Sequence, residues 1–195
     1  MPAEMTLNNF KKDLVELDSK QVICKNFLSG NSHLLSDHQY FELRDRIANK
    51  FEVEFNEVIL VGSSKVGFSI APKKRFRQFC DESDIDIAVI SESLFTKVWK
   101  EAYTFKKSGA YWPKAPDFFK YLNCGWIRPD KLPTSDTFVF TSSWWDFFNE
   151  LTSTQEYGPY KVRGGLYHSW FFFFHYQMKC VEQCVGALIN ENISN

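Results

Sequence analysis

Apolar residues recur at helical spacing in the first part of the chain. The first series follows Thr6, a residue type that favours an N-cap, and consists of Leu7, Phe10, Leu14 and Leu17. A turn-rich stretch at 29–32 then interrupts the pattern. The second series begins after Ser36 or Asp37 and consists of Tyr40, Leu43, Ile47 and Phe51. The pattern therefore predicts two amphipathic helices, which form a helical lead-in over residues 1–55.

Two short apolar runs further along the chain predict strands. Val58 to Val61 is a β-branched run that ends at a Gly-Ser pair, and Ile85 to Ile90 follows a stretch rich in lysine and arginine. Asp84 and Asp86 alternate with apolar residues, so a strand would direct both carboxylates to the same face. We expect these strands to belong to a motif-bearing core over residues 56–140.

The remainder of the chain predicts further helices and one more strand. The predicted elements are helices at 93–105, about 117–122, 142–151 and about 166–188, and a strand at 160–163, which a Gly-Gly pair separates from the last helix. The sequence therefore predicts one α/β (or α+β) domain over residues 1–195. In this domain a small mixed sheet is flanked by the N-terminal helices and by C-terminal helices over 141–195.

Composition narrows the classes of protein that the chain can represent. The 195 residues include 44% hydrophobic and 24% charged residues, as in globular domains, and the formal net charge of -1 excludes a uniformly basic nucleic-acid coat. Most of the 20 Phe, 8 Tyr and 6 Trp residues are expected in the core. The N-terminus lacks a signal-peptide pattern, no apolar run approaches the ~20 residues of a membrane span, and the cysteines lack metal-binding spacing. We therefore expect a cytoplasmic protein with reduced thiols and no membrane contact.

The two predicted strands carry residues that suit phosphate and metal chemistry. Paired carboxylates repel each other unless a cation lies between them, and Mg²⁺ binds carboxylate oxygens while it retains phosphates and water as further ligands. Asp84 and Asp86 are therefore candidate ligands of one or two metal ions in phosphoryl or nucleotidyl transfer. Gly62 allows the backbone to approach a phosphate closely, and the Ser63 hydroxyl can donate a hydrogen bond to it. Taken singly, each feature is also common in surface turns and solvated strands.

Together, Val61-Gly62-Ser63 and Ser83-Asp84-Ile85-Asp86-Ile87 resemble the motif of the nucleotidyltransferase superfamily typified by DNA polymerase beta. In that superfamily, which includes minimal bacterial nucleotidyltransferases, the Gly-Ser turn holds the nucleoside triphosphate and the Asp-hydrophobic-Asp pair binds divalent metal. The resemblance implies that Asp84 and Asp86 are catalytic and bind Mg²⁺ or Mn²⁺. The candidates for binding the triphosphate are Gly62, Ser63, Ser64 and Lys65.

The activity that this resemblance implies is transfer of a nucleoside monophosphate from an NTP to an acceptor hydroxyl, with ATP as the expected nucleotide. Active members usually carry a third carboxylate on a later strand. The strand predicted at 160–163 holds no acid, so Asp136, which precedes residues 137–140, is the candidate third catalytic residue, followed by Glu156. The weak third acid leaves open a second interpretation, a catalytically weak or inactive nucleotide-sensing or partner-binding protein. By analogy with small bacterial members, either could act in a toxin–antitoxin or antiphage module.

The connector between the two halves of the motif is basic and longer than in minimal members. Its cations are Lys65 and, further on, Lys73, Lys74, Arg75 and Arg77. Two interpretations remain open: the later four contact triphosphate or an RNA or protein acceptor, or they form a solvated surface loop. Phe76 and Phe79 would add stacking to a contact with single-stranded nucleic acid. Arg128 and Lys131, in an irregular segment, are further candidates for lining the cleft.

Overall fold

A four-stranded mixed sheet forms the centre of the structure, a computed structural model that describes residues 7–193. The strands are β1 (Val58–Val61), β2 (Ile85–Ile90), β3 (Trp126–Ile127) and β4 (Val162–Tyr167). They lie in the order β1-β2-β4-β3. Strand β2 is antiparallel to β1 and parallel to β4, and β3 is antiparallel to β4. The predicted α/β class with a small mixed sheet is therefore confirmed.

Helices surround this sheet. They are α1 (Leu7–Glu16), α2 (Ser19–Ile23), α3 (Asp37–Phe51), α4 (Ser63–Val66), α5 (Glu92–Lys107), α6 (Ala115–Leu122), α7 (Val139–Ser153) and α8 (Trp170–Ile193). Helix α3 begins where the sequence predicted, because the Ser36 side chain accepts a hydrogen bond from the backbone N–H of Gln39 and the Gln39 side chain accepts one from the backbone N–H of Ser36. Thr6, the predicted cap of α1, lies outside the described residues.

The two faces of the sheet pack against different helices because alternate strand residues point in opposite directions. Ile85, Ile87 and Val89 of β2 join one apolar cluster with residues of α3, α5 and α7. Ala88 and Ile90 join a second cluster with residues of α1, α2 and α8. By the same alternation, Asp86 lies on the face that α1, α2 and α8 cover. The candidate site is therefore on the α8 side of the sheet.

The predicted boundaries are wrong in the C-terminal part of the chain. The third predicted strand, at 160–163, is β4 in the structure and continues through Gly164-Gly165 to Tyr167, where the sequence predicted a break. Helix α7 begins at Val139, earlier than predicted. Asp136 therefore precedes a helix and does not lie next to a strand. The short strand β3 was not predicted. These differences have the same cause: contacts with neighbouring strands and helices determine the structure of these segments, whereas local residue preference favours other structures.

Two observations bear on expectations from composition. The five cysteines are all free thiols in the structure. Among residues 7–193, no helix combines the length and apolar character that crossing a membrane requires.

Candidate functional site

The two halves of the motif meet at one edge of the sheet. Because β1 and β2 are antiparallel, the end of β1 lies beside the start of β2, and Val61 pairs with Asp86. Gly62 follows with a φ of +69°, a conformation that glycine adopts easily. A Cβ atom at Gly62 would lie 2.8 Å from Oδ2 of Asp86. The glycine turn thus packs directly against the carboxylate, as the spacing in the sequence had suggested.

A cleft of about 620 Å³ opens at this edge. Asp86 and Arg163, which are neighbours on parallel strands, lie on its floor with Gly165 and Tyr167. Four further segments line the walls: residues 69–71 of the basic loop, Trp126 with residues 128–130, Trp145 of α7, and one face of α8. The side chains from α8 are Tyr176, Gln177 and Cys180. A cleft of this size can hold a ligand as large as a nucleotide.

Asp86 has an unusual electrostatic environment. Its side chain is open to the cleft, yet it is crowded by protein atoms. This burial and the nearby charge of Asp84 raise the pKa of Asp86 to about 7, while Lys74 and Arg163 act in the opposite direction. A carboxyl group with this pKa is partly protonated near neutral pH. A cation that reached the cleft would favour its ionised form.

Asp84 and Asp86 fit the donor set that Mg²⁺ prefers. Asp84 is half-buried immediately before β2 and is not among the residues that line the cleft, whereas Asp86 is. Neither carboxylate forms a hydrogen bond or ion pair with another side chain among the described residues. No group of three or more His, Cys, Asp or Glu side chains comes together within residues 7–193. The carboxylates among the residues that line the cleft are Asp86 and Asp130, and Asp130 is paired with Arg128. Mg²⁺ is commonly bound by one or two carboxylates together with phosphates and water.

The structure divides the predicted triphosphate ligands into two groups. Gly62 and Ser63 line the cleft. Ser64 is fully buried and its hydroxyl donates to the Val61 carbonyl at 3.2 Å. Lys65 is also buried, and its Nζ donates to the carbonyl of Gly30 at 2.6 Å and to that of Asn31 at 3.3 Å. Both side chains therefore stabilise the turn and do not line the cleft, so the roles of Ser64 and Lys65 in binding the triphosphate stay predictions that these contacts do not support.

Burial also shifts the pKa of Lys65. It lowers the pKa of the ammonium group, and the nearby charge of Arg44 acts in the same direction. The ammonium group donates hydrogen bonds to two carbonyl oxygens, so its Nζ is directed away from the phosphate position that the sequence predicted.

The third predicted catalytic acid is not in the cleft. Asp136 lies in an exposed turn before α7 and is not among the residues that line the cleft. Glu156 accepts a hydrogen bond from Arg46 at 2.7 Å. The residue beside Asp86 on β4 is Arg163, whose guanidinium lies 5.5 Å from the centre of the Trp145 ring. A cation thus occupies the strand position at which a third carboxylate was sought.

The basic loop forms part of the cleft wall and does not offer free aromatic rings. Ser69, Ile70 and Ala71 line the cleft, and the positive charge of Lys74 acts to lower the pKa of Asp86. Lys73, Lys74 and Arg77 are exposed, and Arg75 is half-buried. Phe76 lies under Lys11, with 4.8 Å between Nζ and the ring centre, while Phe79 contacts Tyr160 at 4.9 Å. The stacking role suggested for the two phenylalanines is not supported by these contacts.

Sequence reasoning missed several of the residues that line the cleft. They are Trp126, Trp145, Arg163, Tyr167, Tyr176, Gln177 and Cys180. They come from β3, α7, β4 and α8, which are remote from the motif in sequence, so no local pattern identified them. Of the two cations suggested for this region, Arg128 lines the cleft and binds Asp130 through Nε at 2.9 Å. Lys131 instead pairs with Asp117 and Asp130.

Comparison with known proteins gives no match to this chain among family models, curated proteins or solved structures.

Proposed function

We propose that this protein is a Mg²⁺-dependent nucleotidyltransferase that transfers a nucleoside monophosphate from an NTP, with ATP as the expected substrate, to an acceptor hydroxyl. The observation that carries the proposal is the packing of Gly62 against the Asp86 carboxylate at the mouth of a nucleotide-sized cleft. This packing unites the two halves of the motif on which the resemblance to the nucleotidyltransferase superfamily rests.

The residues of the motif and of the cleft have complementary roles in this proposal. Ser63 offers a hydroxyl, and the glycine before it leaves room for a phosphate to approach the backbone. Asp84 and Asp86 would hold the divalent cation, which when bound would neutralise charge on the triphosphate. Arg163 and Lys74 place further positive charge near the same carboxylate. Catalysis would come mainly from orientation of the reacting groups and from electrostatic stabilisation of the transferring phosphoryl group.

The proposed acceptor approaches in line with the departing pyrophosphate. A bond forms between the acceptor oxygen and the α-phosphorus, the bond from that phosphorus to the pyrophosphate oxygen breaks, and the acceptor hydroxyl loses its proton. RNA and protein are the two acceptor classes that the exposed cations Lys73, Lys74 and Arg77 would suit.

The test is label transfer from each of four α-labelled NTPs with Mg²⁺ or Mn²⁺, alone and with a cell lysate. We expect wild-type protein to transfer label and Asp84→Ala with Asp86→Ala to lose it, because the paired metal ligands are gone. Circular dichroism and thermal melting check that the double variant is folded. Asp136→Ala is the matched control, since that carboxylate is exposed and outside the cleft. Unchanged transfer by the folded double variant would contradict the proposal.

A second candidate function is nucleotide sensing or partner binding without turnover. The observation that favours it is the position of Arg163 beside Asp86, since a cation lies at the β4 position next to the motif and the Asp130 carboxylate of the cleft is paired with Arg128. This candidate predicts NTP binding that EDTA abolishes, without label transfer under any of the conditions above. Binding of RNA through the basic loop would instead weaken steeply with salt and persist in EDTA.

A further inference from the structure

Aromatic rings line the end of the cleft beside β3 and α8. The Trp126 and Tyr167 rings are parallel, with an interplanar angle of 1° and 5.7 Å between their centres. Tyr176 of α8 lies 4.7 Å from Trp126 at 55°. All three line the same cleft as Ser63 and Asp86. One end of the cleft therefore carries the Asp86 carboxylate, and at the other end a planar ligand can contact the cleft-facing surfaces of these rings and the Arg128 guanidinium, which lies 5.4 Å from the centre of the Trp126 ring.

A buried amide lies on the α8 side of this aromatic region. Gln177 is only 7% exposed, and it lines the cleft. Its side chain makes no hydrogen bond to any of the described residues, and neither of its polar atoms is sealed away from the cleft. An amide that opens onto a cleft can donate hydrogen bonds to, and accept them from, a ligand that takes the place of water there. The arrangement favours a ligand that brings a donor and an acceptor side by side.

The edge of a nucleobase has this chemistry. An amide side chain can form paired hydrogen bonds with such an edge, and aromatic side chains pack against the ring. A ligand that only carried phosphates would leave both features unused. The continuity of the cleft from Asp86 to Gln177 allows one nucleotide to occupy both ends.

We infer that Trp126, Tyr176 and Gln177 form the nucleobase subsite of the cleft, in which the Gln177 amide hydrogen-bonds the base edge. This inference rests on the proposed function, because it places the triphosphate of the same nucleotide beside Ser63 and Asp86. It assigns Gln177 a role in binding the nucleotide, separate from phosphate and metal binding.

The first measurement uses the wild-type full-length chain with Mg²⁺. Isothermal titration calorimetry compares the four NTPs with inorganic tripolyphosphate, which has the charge and lacks the base. We expect the best NTP to bind about tenfold or more tightly than tripolyphosphate, as one or two additional hydrogen bonds and ring packing would give. Equal affinities would overturn the base subsite and leave the triphosphate site of the proposed function standing. Binding of neither ligand would overturn both proposals.

The second measurement uses Gln177→Leu, which keeps the side-chain size and removes the amide. We expect its affinity for the best NTP to fall about tenfold while its affinity for tripolyphosphate stays at the wild-type value. Gln183→Leu, which alters an exposed glutamine on the same helix, is the matched control. NTP affinity equal to wild type in Gln177→Leu would overturn the role of Gln177, and so would an equal loss for both ligands. The comparison of wild-type affinities does not depend on how well the variant folds.

Discussion

At the scale of single residues, the site depends on Gly62, a position that favours glycine for two independent structural reasons. Gly62 has a positive φ, and it also lies where any Cβ would press on the carboxylate of Asp86. The backbone conformation allows the turn after β1, and the missing side chain allows the acid to approach it. Gly30 shares the first property and lacks the second, since no atom lies within 4 Å of its Cβ position.

This difference leads to a prediction for Gly62→Ala. We expect the variant to lose about 1–2 kcal/mol of unfolding free energy and to bind Mg²⁺–NTP more weakly, because the methyl group displaces the Asp86 carboxylate. Gly30→Ala is the control, which should lose about 1 kcal/mol through its backbone conformation and keep its nucleotide affinity. Urea denaturation and calorimetric titration provide the two readouts. Equal nucleotide affinity in the two variants would show that the contact with Asp86 has no role in binding.

A second prediction at this scale concerns Asp86 and pH. The pKa of this carboxyl rises from 3.8 to about 7 on folding. Between these values the folded state holds more protons than the unfolded state, so this group lowers stability as pH rises, and its effect is complete above about pH 7. Asp86→Asn removes that effect. In EDTA, we therefore expect Asp86→Asn to gain stability relative to wild type between pH 5 and pH 8.

The measurement is urea denaturation of both proteins at the two pH values. Asp136→Asn makes the same chemical change in an exposed turn and is the control. A difference between wild type and Asp86→Asn that stays constant with pH would refute the raised pKa.

At the scale of elements, β4 is the strand whose extent the sequence predicted incorrectly. Two adjacent glycines usually weaken a strand, and here they predicted a break. In the structure both are needed, because bulky side chains press on the strand from each face. A Cβ at Gly164 would lie 2.4 Å from Cζ of Phe148, and one at Gly165 would lie 2.8 Å from Nε1 of Trp126. Tertiary packing therefore outweighs the local preference of these residues.

The packing of β4 predicts the effect of Gly164→Ala. We expect this variant to lose about 1–3 kcal/mol of unfolding free energy, because the new methyl group overpacks against the buried rings of Trp144 and Phe148. Gly186→Ala is the control within α8, where nothing lies within 4 Å of the Cβ position. That variant should gain about 0.5–1 kcal/mol through helix propensity. Thermal or urea unfolding checks both, and a neutral Gly164→Ala would contradict the packing argument.

At the scale of the whole molecule, the cleft is assembled from segments that are far apart in sequence. The loop after β1 and the start of β2 supply the motif, β3 supplies Trp126, β4 supplies Arg163 and Tyr167, and α8 supplies Gln177. The sheet order brings β4 between β2 and β3, so a strand from the last third of the chain lies between two strands from its middle third. The high aromatic content is used in two ways. Most of the large rings pack in the two apolar clusters, and a few line the cleft.

The sequence by itself determined the local elements and the motif. Periodicity identified α3, β1, β2 and α5 nearly at their observed ends, because amphipathic spacing and capping are local properties. It also located α1, but it did not predict that α1 ends at Glu16 and that α2 follows as a separate helix before the break at 29–32. The spacing of Gly62, Ser63, Asp84 and Asp86 also predicted that they would share one edge, since a strand pair has few ways to join.

Only the tertiary structure decided the rest of the site. It turned Lys65 onto backbone carbonyls, left Asp136 outside the cleft, and placed Arg163 beside Asp86. It also brought Gln177 and the aromatic rings to the far end of the cleft. These placements depend on strand order and on packing between distant segments. No short window of sequence contains that information, because Lys65 binds carbonyls 34 and 35 positions earlier and Arg163 lies beside a residue 77 positions earlier.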